Sequence, residues 1–459
     1  MKNPILVPEL RELLRNKKHK VLKSFMHEGH PKDIAEFLGL LSSGEIWKLL
    51  TIIDVYIRDE IFSYLDMDVQ IELLSTGLRK NVSEILASMS HDNRADLFQN
   101  LDKNVADSFL LYLPVSERTD ILKLTSYNEE TAGAIMTTDY STLNENDNVE
   151  KAIRKIRQDA PSKETVYYIY VTDNDGKLIG FVSLRKLILA RPRQKVANIM
   201  KKDVVYANVN DDQENAARVL EEYGLIALPI VDNSEKLLGI ITYDDAIEVI
   251  REEETEDLEK LMAISGGVEE KPYLEVPAFI HFRKRAFWVI ILGLFGLLTG
   301  LIIEVYQKTL ETLIVLTFYM PLLNAAGGNT GSQSATVVLR SLTLKELSPA
   351  DIFKVIKKET LVSFLLSICL GLVTFGRVYL FPSSGSEPSQ FSITLIALVI
   401  SISLGLQVLW STVFGAIIPI IATKLKMDPA VVSSPLLTTF VDMGGIVIYF
   451  TTAKFILGI

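Results

Sequence analysis

Two stretches of this 459-residue chain set polar groups among apolar neighbours. The first is Pro321-Leu322-Leu323-Asn324-Ala325-Ala326-Gly327-Gly328-Asn329-Thr330-Gly331-Ser332-Gln333-Ser334-Ala335-Thr336. Lipid would leave its amides and hydroxyls unsatisfied, so the segment must be buried in protein or face water. Gly327, Gly331 and Ala335 recur at every fourth position, a small-residue ridge that helix packing alone could use. Packing accounts for the glycines but not for Asn324, Asn329 and Gln333 together. The second stretch is SPLLTTFVDMGGIVIYF, where Ser434, Thr438 and Asp442 fall at i, i+4 and i+8 on one helical face. A carboxylate at membrane depth costs about 2.5–3.5 kcal/mol on insertion scales and should face a pore or a partner. Two hydroxyls and a carboxylate running down a helix read as a cation path. A structural acceptor for threonine hydroxyls and a proton carrier are the other readings of Asp442.

The donor types favour a hard cation. The apolar half has no thiolate cluster and no histidine, while carboxylate, carbonyl and water ligands suit Mg²⁺, Ca²⁺ or Mn²⁺. Mg²⁺ sheds water reluctantly, so one carboxylate with amides and hydroxyls could hold it through its hydration shell. One aspartate per chain supplies few ligands, and two chains sharing an axis would double them.

The elements that must position these groups follow from composition. Residues 286–459 hold 10 basic and 8 acidic residues, whereas residues 1–285 hold 37 and 49. Ala286–Tyr306 is long and apolar enough to span a bilayer, and further apolar segments lie at 312–339, 359–381, 391–423 and 430–458. This predicts five spans, with Pro419 a candidate kink. Ten Lys and Arg flank one side of those spans and three the other, which puts the front half in the cytoplasm and the C-terminus outside. Charges run through MKNPILVPELRELLRNKK, unlike a signal peptide. An acidic front half without a basic stripe argues against nucleic acid. The single cysteine, Cys369, excludes a disulfide framework and a cysteine zinc site.

Residues 1–130 show apolar residues at helical spacing in short runs such as DIAEFLGLL and EIWKLLTII, which predicts stacked, solenoid-like helical hairpins. Residues 131–250 contain an internal repeat. Ala134–Asp139 (AIMTTD) matches Asn198–Asp203 (NIMKKD) 64 residues on, and DNDGKLIG at 173–180 matches DNSEKLLG at 232–239 at an offset of 59. The first copy therefore holds five extra residues between its helix and its strand. The repeat resembles a CBS-domain pair, an α/β module that implies ligand sensing more than catalysis. Gly239–Asp245 (GIITYDD) resembles the ribose-contacting GhhTxxD pattern of such modules, which nominates Thr242 and Asp245 for ATP. The first copy has Ser183 but Lys186 where the acid would stand, so the second repeat alone is expected to bind ATP. Asp244–Glu259 carries nine acids and one base, and residues 251–285 are expected to be a helical connection to the membrane.

GGNTGSQSAT and SPLLTTFVD resemble the signature regions of the MgtE family of magnesium channels, and the resemblance covers nearly the whole chain. It implies a multidomain protein: a helical N-domain (1–130), a CBS pair (131–250), a connecting "plug" helix (251–285) and a pore domain of five helices (286–459). It further implies a non-enzymatic, homodimeric Mg²⁺ channel of the inner membrane, with its pore on the two-fold axis and Asp442 at the pore aspartate. In this family cytosolic Mg²⁺ bridges the acidic N-domain, CBS and plug surfaces and closes the pore. Carried over residue by residue, TEDLEKL nominates Glu253, Glu256 and Asp257 as sensor ligands, with Asp245 and Glu248 upstream and Asp92 and Asp96 as N-domain counterparts. An ordinary solvated acidic helix is the other reading of that stretch. In the pore, Asn329, Ser434 and Thr438 join Asp442. Ser434 stands where some members carry asparagine.

Overall fold

The computed structural model describes residues 7–267, 273–274, 276–381, 391–429 and 435–458. The chain divides into two compact units, Met1–Arg251 and Glu252–Ile459.

The first unit begins with ten short helices, α1 (Val7–Arg15) to α10 (Val115–Leu124). Helices two apart in sequence pack together, as in the third on the fifth and the fifth on the seventh, the stacking expected of helical hairpins. Leu22, Leu38, Leu49, Phe62, Leu73 and Ile85 form a continuous core. Local chemistry sets the breaks between helices. Pro31 opens the third helix behind His30, and a Ser42–Glu45 capping box opens the fourth.

The repeat appears as two like-built sheets. β1 (Thr142–Asn144), β2 (Tyr168–Thr172) and β3 (Leu178–Ser183) form one, and β4 (Ala207–Asn208), β5 (Ala227–Val231) and β6 (Leu237–Thr242) the other. In each the outer pair is parallel and the second antiparallel. Their helices are α11 (Val149–Asp159), α12 (Leu184–Leu189), α13 (Gln213–Glu222) and α14 (Tyr243–Leu261). The matched aspartates build matched turns. Asp173 Oδ1 accepts from the N–H groups of Asp175 and Lys177, and Asp232 Oδ1 from those of Ser234 and Lys236. The copies also exchange segments, with Thr137 bridging to Ile240 and Lys201 to Phe181. Ala95 and Leu124 of the helical domain share a core with Leu228 and Ile241 of the second copy.

The expectation of one helix over 251–285 is corrected. α14 starts inside the second repeat and ends at Leu261, and α15 (Ala278–Val305) begins only at Ala278. Ala263 (φ 55), Gly266 (φ 112) and Gly267 (φ 72) take left-handed backbone, which ends a helix, and Pro277 caps the next. Ser265 and Gly267 bond back to α15. Ser265 N–H donates to the carbonyl of Lys284 at 3.1 Å, and Lys284 Nζ donates to the carbonyl of Gly267.

The second unit continues with α16 (Gln307–Thr312), a 3-10 turn (Ile314–Tyr319), α17 (Met320–Thr343), α18 (Ile352–Leu380), α19 (Ile393–Lys424) and α20 (Pro435–Leu457). Among the described residues, four helices are long and apolar enough to cross a membrane: Ala278–Val305, Pro349–Leu380, Ile393–Lys424 and Leu436–Leu457. The second expected span differs from its expectation. The 312–339 segment is split by the 3-10 turn, and its polar helix α17 is not among the four. Pro419 lies within one uninterrupted α19. α19 is the hub, packing on α17, α18 and α20. Its backbone comes so close to α17 that a Cβ on Gly415 would strike the Gly331 carbonyl, so a glycine is required there.

Candidate functional site

Asp442 lies on α20, half-buried, and its Oδ1 has no hydrogen-bond partner among the described residues. Thr438 is one turn away, and a Cβ on Gly328 of α17 would meet its methyl group at 3.4 Å. Ser434 lies outside the described residues. Asn329 is exposed on α17. The polar run of α17 does not simply face outward: Thr330 Oγ1 is 2.7 Å from Ser411 Oγ of α19, and Ser334 Oγ donates to Glu359 of α18 at 2.8 Å. Glu359, Gln407 and Ser411 are the membrane-domain groups that sequence reasoning missed. Gln407 carried a signal, as the one amide in the apolar run of α19.

Between the helical domain and the CBS pair a group of carboxylates converges. Asp92 stands in the first turn of the eighth helix (His91–Gln99), and Asp245 in the first turn of α14. Burial and then the charge of Asp92 push the Asp245 carboxyl up to about 6. The Glu164 residue is exposed overall, yet desolvation of its carboxyl and the charges of Asp92, Asp245, Asp139 and Asp244 push it up to about 7. Burial also raises Asp139, against the opposing pull of His91 and Lys163. The five residues added to the first repeat carry Glu164 here, in the connection between α11 and β2. Beside this group, His91, Glu117 and Asp120 bring ligand atoms within 4.8 Å of one another, and Arg94 pairs with Glu117. The arrangement joins two nominated residues, Asp92 and Asp245. Asp96 and Glu248 are exposed.

On α14, Glu253, Glu256 and Asp257 are half-buried at i, i+3 and i+4. Glu256 is 3.0 Å from Lys260, whose Nζ is also 3.0 Å from Asp428 in the connection before α20. Burial disfavours the Lys260 charge, but the two carboxylates more than offset this and hold its ammonium above the ordinary lysine range. The Lys260–Asp428 pair was not anticipated, because nothing in local spacing links residues so far apart in sequence.

Thr242 closes β6 and donates its hydroxyl to Asp245. Neither lines a cavity of about 900 Å³ between the two repeats, walled by Tyr168, Ser183, Arg185 and Lys186 of the first and by Lys201 and Tyr223 of the second. Lys201 Nζ sits 5.8 Å from the centre of the Phe181 ring.

A CBS pair packed on a helical domain, followed by apolar helices long enough to cross a membrane around a polar interior, is the build of a membrane transport protein. Family models bear on each part: "Divalent cation transporter" matches residues 320–452, "MgtE intracellular N domain" residues 29–130, and "CBS domain" residues 132–193 and 196–252. The chain is 36% identical over 455 residues, 98% of each chain, to the magnesium transporter MgtE of Thermus thermophilus. It is 30% identical over 442 residues to that of Bacillus subtilis, covering 96% of this chain and 95% of the other. The chain belongs to the MgtE family of magnesium transporters. Two solved structures resemble its front half. The cytosolic domain of the Mg²⁺ channel MgtE in complex with ATP is 36% identical, with a TM-score of 0.50 over 53% of this chain and 100% of that one. The soluble part of a magnesium transporter is 31% identical, with a TM-score of 0.51 over 54% and 97%.

Proposed function

We propose that this chain is a Mg²⁺-selective uptake channel, a homodimer of the inner membrane that cytosolic Mg²⁺ closes. Five helices, α15 and α17 to α20, cross the bilayer. The front half lies in the cytoplasm and the C-terminus outside, as the basic residues flanking the spans favour. Asp442, Thr438, Ser434 and Asn329 serve the ion path on the two-fold axis, where the hydrated ion meets carboxylate and hydroxyl groups.

The observation that carries the gating is the convergence of Asp92, Asp139, Glu164, Asp244 and Asp245 at the junction of the helical domain and the CBS pair. Packed acids repel, and a divalent cation between them relieves that repulsion. Mg²⁺ at these groups, at Asp96 and Glu248, and at Glu253, Glu256 and Asp257 of the plug helix then favours the closed state. ATP enters the CBS pair as a modulator, a reading supported by the relative solved with ATP. The cleft beside Lys186 suits it better than Thr242 and Asp245, since aromatic rings and three basic groups match a base and its phosphates.

Proteoliposome flux with Mg²⁺ stepped on the N-domain side tests the proposal. Wild-type flux should need no counter-ion gradient and should stop at millimolar Mg²⁺. Asp442→Ala should lower it by about tenfold or more. A requirement for a proton or Na⁺ gradient would instead make Asp442 the coupling group of a secondary transporter.

A further inference from the structure

Gln407 is fully buried in α19, and both its Nε2 and its Oε1 lack a hydrogen-bond partner among the described residues. Its side chain fills the space over two glycines, one on each neighbouring helix. A Cβ on Gly327 of α17 or on Gly445 of α20 would collide with the Gln407 amide. The space is thus kept clear on both sides for a carboxamide, although a leucine or methionine would fill it without leaving polar atoms unmet.

Its unmet needs match those of its surroundings. The Gln407 amide nitrogen has two N–H groups to donate. Asn324 Oδ1 on α17 and Asp442 Oδ1 on α20 are buried acceptors without a donor among the described residues. Asn324 stands three residues from Gly327, and Asp442 three residues from Gly445, so each lies about one helical turn from the glycine that Gln407 covers. One turn is about 5.4 Å along each helix, a gap that a small shift of the side chains with one water between them would close. Below this level the polar seam continues through the Thr330–Ser411 hydrogen bond.

We propose that Gln407 is a positioning residue of the ion path, donating through water to Asp442 and Asn324 from behind and so fixing the carboxylate toward the ion. The inference rests on Asp442 serving the ion path.

The test is Mg²⁺ flux by the full-length protein in liposomes, for Gln407→Met, Asn324→Ser and Asp442→Asn, each first checked for dimer size and melting temperature. Gln407→Met keeps the bulk between the glycines and removes the donors. It should assemble normally, lower flux by about tenfold and raise the Mg²⁺ concentration for half-maximal flux. Gln407→Asn, which keeps a carboxamide, should recover part of the flux. Wild-type flux in Gln407→Met would overturn the inference, leaving Gln407 a spacer. Should Gln407→Met fail to assemble, Asn324→Ser decides, since it leaves Gln407 in place: several-fold lower flux supports the inference and unchanged flux overturns it. If Asp442→Asn itself conducts normally, the failure lies with the ion-path reading of Asp442.

Discussion

Burial and neighbouring acids disfavour the charges of Glu164 and Asp245 and raise their carboxyls to about 7 and about 6. Both are raised in the folded protein, so the stability they contribute is present in full below their unfolded values, 4.5 and 3.8, and is lost as pH rises through about 6 to about 7. Without Mg²⁺, the melting temperature of the full-length protein should therefore fall between about pH 5 and about pH 8. Added Mg²⁺ should restore it more at the alkaline end, because the cation must displace protons at the acid end. A pH-independent response to Mg²⁺ would count against these acids as the sensor. Asp92 and Asp245 were nominated through the family resemblance. Glu164 and Asp139 were not, because they stand in irregular connections where no periodicity marks which way a side chain faces.

Elements were legible where they repeat and obscure where a turn interrupts an apolar run. The two copies of the CBS module predict each other down to the aspartate that shapes each strand turn. The comparison also exposes a strained position: Gly176 takes φ 82 in the first turn, and Glu235, its counterpart, takes φ 61 with a side chain attached. Glu235→Gly should stabilise the protein by about 1 kcal/mol, less the small contribution of the exposed Lys177–Glu235 pair. Thermal or denaturant unfolding would reveal it, and a lower stability would show that the pair outweighs the strain. Hydropathy alone did not separate α16, the 3-10 turn and α17, since Ile314–Tyr319 is as apolar as a span. Nor did charge pattern reveal that the connection beyond Leu261 leaves the helix, because the deciding feature is the left-handed backbone of Ala263, Gly266 and Gly267.

Over the whole molecule the division of charge was the plainest message of the sequence, and it coincides with the order soluble domain, CBS pair, membrane helices. What composition could not convey is that the membrane domain is built around α19, which packs on three neighbours and takes polar contacts from α17 and α18 in its interior. This has a consequence for biogenesis. Among the described residues, α17 is the one long helix of the membrane domain that lacks the hydropathy to cross a bilayer by itself. Polar side chains are costly in lipid, so α17 should wait beside the insertion machinery until α18 and α19 bring Glu359 and Ser411 to meet its Ser334 and Thr330 hydroxyls. A chain truncated after Thr343 should accordingly leave α17 outside the bilayer, accessible to an aqueous thiol reagent at an introduced cysteine. Extension through Lys424 should protect that cysteine, making the second span a segment whose address is written two helices downstream.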